Sequence, residues 1–303
     1  MEGGFLQALN FPGRASVWMF FGLSGYVIGF GFFSNRYAFT LSGVMHFYRC
    51  RAMRIMPLFW LVSLLAVFAC LAGVIPWELN WGDLLSAFFS IQYNHLNYPV
   101  GIFWTLGIEI QFYVLAPLIC WLLVVSSRRW LVLGLGSLVA LLFVFGSTID
   151  LRTLPSVMMF FLTGILAARQ NTESPPKAHF ARLVPLVALA IVCLMICSLT
   201  YPARFWWYFG PISTIVALVA LLRAHAILER ISVPAGPVMK ALMVIGCLAY
   251  GLYAWHGLLL NLWAPLQDSL LATFSISLFL AWLSFILMER PLVNIYRAEG
   301  HAH

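Results

Sequence analysis

The chain alternates long apolar runs with short polar interruptions. The runs fall at 15–33, 55–75, 102–125, 130–147, 154–168, 183–200, 208–222, 238–263 and 270–288. About 17–25 consecutive apolar residues make a helix long enough to cross the hydrocarbon core of a bilayer. The pattern therefore predicts nine spans, with 154–168 the weakest. A shorter run at 84–91 (LLSAFFSI) cannot cross and reads as re-entrant or interfacial. No segment is long or polar enough for a second, soluble domain. The expectation is an all-α, polytopic transmembrane helix bundle, one integral-membrane domain over residues 1–303.

Composition agrees. Of 303 residues, 63% are hydrophobic and 9% are charged, with a mean hydropathy of +0.94. Soluble domains carry about 25% charged residues, so this chain cannot cover a water-facing surface. The net charge of +7 does not signal nucleic-acid binding, because the cations sit in short clusters between apolar runs. Such clusters mark cytoplasmic loops. If the first run enters from outside, the inner segments hold Arg36, Arg49, Arg51, Arg54, Arg128, Arg129, Arg169, Lys177, Arg182, Arg223, Arg230, Lys240, Arg290 and Arg297. The outer ones hold Arg14, Arg152 and Arg204. The N-terminus of this chain is then outside and the C-terminus cytoplasmic. Residues 1–14 (MEGGFLQALNFPGR) lack the basic start and apolar core of a secretory signal. They read as a loop following an earlier span, which would bring the total to ten. The six Cys form no CxxC pair, and neither a disulfide framework nor a metal site is expected.

Against this background a few polar residues stand out. Glu109 lies in FWTLGIEIQFYVLAPLI, seven residues into its run and about 10 Å below the outer edge at about 1.5 Å per residue. An acid in mid-helix costs about 2.5–3.5 kcal/mol on insertion scales, so it faces a cavity or a partner and is a functional candidate. The competing reading is a structural hydrogen bond to another helix. His256, in AYGLYAWHGLLL, falls at matching depth on another span. It is either a proton shuttle or a neutral histidine in the aromatic belt with Tyr250, Tyr253 and Trp255. Ser24, in FFGLSGYVIGF, reads first as helix-packing glue. Arg51 and Arg54 in HFYRCRAMR share a helix face. They serve either as plain topology signals or as an anion clamp for a phosphorylated cytoplasmic donor. Glu289 in MERP lies at the same inner face, where it pairs with an Arg or orients that clamp.

Several of these stretches, in order, resemble the integral-membrane acyltransferase family 3. FFGLSGYVIGF is similar to its FFxLSGF segment, and RCRAMRIMPLFW to its RxxR segment, with Arg51 and Arg54 in the arginine positions. FWTLGIEIQFYVLAPL resembles its W-S-L-x-x-E-x-Q-F-Y segment through Trp104, Glu109, Gln111, Phe112 and Tyr113. AYGLYAWHGLLL resembles SYxxYLxH through Tyr250, Tyr253 and His256, and MERPL resembles its terminal I-E-x-P. Any one match is weak, but five in order are specific. The resemblance implies ten spans and an O-acyltransferase. It would move an acyl group, commonly acetyl, from cytoplasmic acyl-CoA (acetyl-CoA) to a hydroxyl of a glycan, lipid-linked sugar or small molecule. It also implies a bacterial inner-membrane location, acyl-CoA as donor rather than a bound cofactor, membrane lipids as surroundings, and no nucleic-acid partner. Glu109 and His256 are then the catalytic candidates. Arg51, Arg54, Ser24, Trp104, Tyr113, Tyr253 and Glu289 are the substrate-binding ones.

Two departures from the family pattern matter. The family's proposed catalytic His lies in a first span, and no His precedes His46 here. Ile110 stands where a second acid is common. Two rival readings follow: a transporter or flippase with Glu109 as the coupling carboxylate, and an inactive, truncated acyltransferase relic.

Overall fold

A computed structural model of the chain describes residues 13–75, 82, 101–125, 153–177, 179–199, 206–231, 236–262 and 269–292. Eight α-helices and no strand occur among the described residues. They are α1 (Gly13–Phe33), α2 (Leu41–Leu71), α3 (Trp104–Val125), α4 (Leu154–Glu173), α5 (Leu183–Leu199), α6 (Trp206–Ile231), α7 (Pro237–Leu262) and α8 (Leu270–Ser284). Without water in the bilayer core, backbone groups must be satisfied within the segment, and the helix does this. Seven described helical segments are long and apolar enough to cross a membrane. They correspond to seven of the nine expected runs. The run at 130–147 and the short run at 84–91 lie outside the described residues. The weak run at 154–168 forms α4, which falls short of the same apolar level because it ends in the polar RQNTE. The protein is an all-α, integral-membrane helix bundle.

One boundary differs materially from the sequence expectation. The run at 55–75 was expected to begin after the basic segment, yet α2 begins at Leu41 and carries that segment in its first turns. Arg and Met are good helix formers, and arginine stems can lie on apolar surface while the guanidinium stays outside. The Arg51 guanidinium stands over the buried Phe47 ring at 5.6 Å. Helix ends follow local rules. Asn35 takes φ 59° just after α1 and Gly73 takes φ 70° just after α2. Beside them Tyr37 N–H reaches Gly31 O, and Val74 N–H reaches Ala69 O. These left-handed residues close the helices and satisfy terminal carbonyls.

The chain divides into two compact units, Met1–Thr40 with Gln111–Pro234, and Leu41–Ile110 with Ala235–His303. In the first unit α1 packs against α4 along a glycine seam. A Cβ at Gly22 would meet Leu218, and one at Gly25 would strike the Phe161 carbonyl. A Cβ at Gly164 would strike the Gly22 carbonyl. Small residues let membrane helices approach this closely. Aromatic rings fill the flanks: Trp18 stacks on Phe160 at 5.0 Å and Phe112 on Phe161 at 3.8 Å. The opposite stripe of α1 (Phe20, Leu23, Val27, Phe30) is exposed, as suits a face turned to lipid. Cys193 packs among Ala190, Ala217 and Ala220 between α5 and α6. Cys197 lies 3.9 Å from the Gly210 carbonyl. Both cysteines are packing residues.

In the second unit α7 packs on α8 through Gly251 and Ala281, where a Cβ on the glycine would come within 3.0 Å of the alanine methyl. Trp255 Nε1 donates to Ser284 Oγ at 3.3 Å, and Ser284 Oγ donates to the Ala281 carbonyl at 3.1 Å. The Phe59 and Phe103 rings meet at 5.2 Å, joining α2 to the turn before α3.

Candidate active site

The second unit holds most of the polar residues singled out from the sequence, and α7 organises them. Tyr250, Tyr253 and His256 follow one another at intervals of three along α7, so they lie near one helix face. Each has a distinct anchor. Tyr250 Oη donates to the Ile55 carbonyl of α2 at 2.8 Å. The Tyr253 and Thr105 hydroxyls share a hydrogen bond of 2.6 Å, joining α7 to α3. His256 Nδ1 is 3.1 Å from the Leu252 carbonyl on its own helix. A carbonyl accepts only, so Nδ1 carries the proton and the neutral ring's basic nitrogen is Nε2.

Glu109 is 5% exposed and stands one turn beyond Thr105 on α3. The Tyr253 and His256 rings lie 5.6 Å apart at 60°. Tyr253 thus stands between the Thr105 hydroxyl of α3, one turn from Glu109, and the His256 ring on α7. Trp104, half-buried at the start of α3, belongs to the same unit.

The second polar group lies at the start of α2. Arg51 and Arg54 occupy its early turns, Arg54 exposed and Arg51 half-buried. Glu289 is buried and interacts electrostatically with Arg54. It closes a π-helical turn, Phe285–Glu289, that follows α8. Such turns add a residue to the helical repeat and occur often at functional sites. Tyr250 anchors to the backbone of Ile55, the residue directly after Arg54, so α7 is bonded to α2 beside this group.

Ser24 and Tyr113 belong to the first unit. Both are buried. Ser24 sits between Gly22 and Gly25 on the packed α1 seam, which gives its segment a packing role. That unit also contains a polar node that sequence reasoning did not single out. Asn171 Nδ2 lies 3.3 Å from both the Tyr26 hydroxyl and the Leu222 carbonyl. Its Oδ1 accepts from Arg223 Nη1 at 2.7 Å. Thr105 was not singled out either. Its hydroxyl in an apolar helix was visible, but the partner lies 148 residues away.

This arrangement offers a base nitrogen, a nearby acid, a hydroxyl pair, and a separate guanidinium pair suited to an anion. No described cluster of three or more His, Cys, Asp or Glu could hold a metal ion.

Comparison with known proteins places these residues in a family. The chain is 25% identical over 312 residues to the exopolysaccharide production protein ExoZ of Rhizobium meliloti strain 1021. That alignment covers 95% of this chain and 92% of ExoZ. No solved structure matches the chain. The family model described as an acyltransferase domain matches residues 2–288, nearly the whole chain and every one of the polar groups above except Glu289, so the protein belongs to the integral-membrane acyltransferase family 3.

Proposed function

We propose that this acyltransferase moves an acyl group, acetyl in the simplest case, from an acyl-CoA-type donor to a hydroxyl on a glycan or lipid-linked sugar. The donor is cytoplasmic and the protein resides in a bacterial inner membrane, with the C-terminal end of this chain inside. The observation that carries the reading is the α7 ladder: the Tyr253 hydroxyl bonds Thr105, one turn from the buried Glu109, and the Tyr253 ring lies 5.6 Å from that of His256. The printed name of the ExoZ relative, a protein of exopolysaccharide production, supports a glycan as acceptor.

In this mechanism His256 Nε2 takes the acceptor's hydroxyl proton as its oxygen attacks the acyl carbonyl carbon. The donor's C–S bond breaks and the thiol leaves with a proton. Glu109 places a negative charge beside the hydroxyl pair, where it favours the imidazolium that forms as His256 accepts its proton. Arg51 and Arg54 bind the donor's phosphates by charge-assisted hydrogen bonds, and Glu289 orients Arg54. Trp104, in the same unit as Glu109 and His256, lines or supports the acceptor path.

The test uses membranes containing the full chain and acetyl-CoA labelled in its acyl carbon. Label is expected in a glycan or glycolipid fraction, in proportion to the amount of protein. A glycolipid that changes sides of the membrane without gaining label would overturn this reading in favour of transport.

A further inference from the structure

The turn before Arg51 and Arg54 carries chemistry that the mechanism above does not use. Cys50 Sγ lies 3.6 Å from His46 Nε2, one helical turn apart on α2. That is hydrogen-bond reach for a thiol and an imidazole. Both residues are half-buried, so the sulfur is neither sealed in the core nor fully solvated. Arg49 and Arg51 flank Cys50 in sequence, and Arg54 follows one turn later on the same helix face. The Arg51 guanidinium is held over the Phe47 ring. A partly exposed cysteine paired with a histidine, with an arginine one turn along the same face, has surroundings that favour a nucleophilic sulfur. The other cysteines with described packing lack them: Cys120 is buried, and Cys193 and Cys197 sit among alanine and glycine.

We infer that Cys50, with His46 as its base, is an acyl-accepting nucleophile that takes the acyl group from a thioester donor before it reaches the hydroxyl acceptor. This rests on the acyl-CoA reading proposed above. With the imidazole proton on Nδ1, the Cys50 thiol donates to His46 Nε2. The sulfur attacks the donor's carbonyl carbon as its proton passes to Nε2. A new carbon–sulfur bond to Cys50 forms and the donor's carbon–sulfur bond breaks. The departing thiolate takes the proton back from His46 and leaves as the free thiol. One thioester replaces another, so no oxidant or reductant enters. The acceptor oxygen then attacks the Cys50 thioester as His256 takes its hydroxyl proton, the carbon–sulfur bond to Cys50 breaks, and the Cys50 thiolate regains that proton.

The experiment incubates membranes containing the full chain with acetyl-CoA labelled in its acyl carbon and follows two products, acylated protein and acylated acceptor. Wild type is expected to take label that neutral hydroxylamine releases, with the modified peptide carrying Cys50 by mass spectrometry. Cys50→Ala should lose that label, and acceptor labelling should fall at least 100-fold. His46→Gln should slow protein labelling by about 10²-fold, the usual scale for losing a general base. Cys50→Ser should retain any label as a hydroxylamine-resistant oxygen ester. If acceptor labelling persists at the wild-type rate in Cys50→Ala, the inference is overturned while the acyltransferase reading stands. If neither product is labelled from acetyl-CoA in wild type, both fall. Hydroxylamine-labile label at Cys50 that is indifferent to His46→Gln overturns the dyad.

Discussion

The α1–α4 seam and the α7 ladder are built from equally greasy helices and solve opposite problems. On α1, glycines at 22, 25 and 29 bring backbone against backbone, and aromatic rings close the gaps. Specificity there comes from shape. Along α7, tyrosines and a histidine replace shape with directed bonds to a carbonyl of α2, a hydroxyl of α3 and the helix's own backbone. Polar groups in hydrocarbon are expensive, and those of α7 are each tied to a partner. Asn171, with Tyr26 and Arg223, is a polar exception in the unit that holds the seam.

The largest expected effect lies on the ladder. His256→Gln and Glu109→Gln should each reduce acyl transfer by about 10²–10⁴-fold, with the amount of protein in the membrane unchanged on a blot. Loss of protein in step with activity would show that the ladder is structural, and the contrast would collapse. The seam should respond in the opposite way. Gly164→Leu drives a side chain into the Gly22 carbonyl and should cost about 3 kcal/mol, the upper end for overpacking. It would be seen as lower thermal stability in detergent, with the specific activity of surviving protein retained.

Next comes the guanidinium pair. Arg54→Ala should raise the apparent KM for the acyl donor by about tenfold, the scale of one charge-assisted bond, with kcat changed less. An unchanged KM would reduce the basic run to a topology signal. The smallest effect belongs to Trp255→Phe, which removes the bond to Ser284. Interhelical hydrogen bonds in membranes average about 0.6 kcal/mol, so a shift of that size in a detergent unfolding curve is expected, with activity intact.

Much of the candidate site was legible before any helix was placed. Glu109 is conspicuous because an acid is rare in an apolar run, and Arg51 and Arg54 because their spacing matches a helix face. Tyr250, Tyr253 and His256 announce a common face by their interval of three. That the basic run and the apolar run after it form one helix was not legible, because hydropathy averages over a window and sees arginines as a break. The arginines themselves are good helix formers, and the helix runs on from Leu41. The π turn that ends at Glu289 left no signal that hydropathy or helical periodicity could register.

The sequence by itself determined that this is an all-α membrane protein, where most of its helices run and which family it belongs to. Those properties follow from local composition and from motifs in fixed order, which need no knowledge of neighbours in space. Only the tertiary structure decided that Thr105 meets Tyr253 and that Tyr250 reaches the Ile55 carbonyl. These pairings join residues far apart in the chain. They depend on how each helix is rotated and how far it is shifted along its neighbour. That register is set by the close packing of many small and aromatic side chains, which no single stretch of sequence contains.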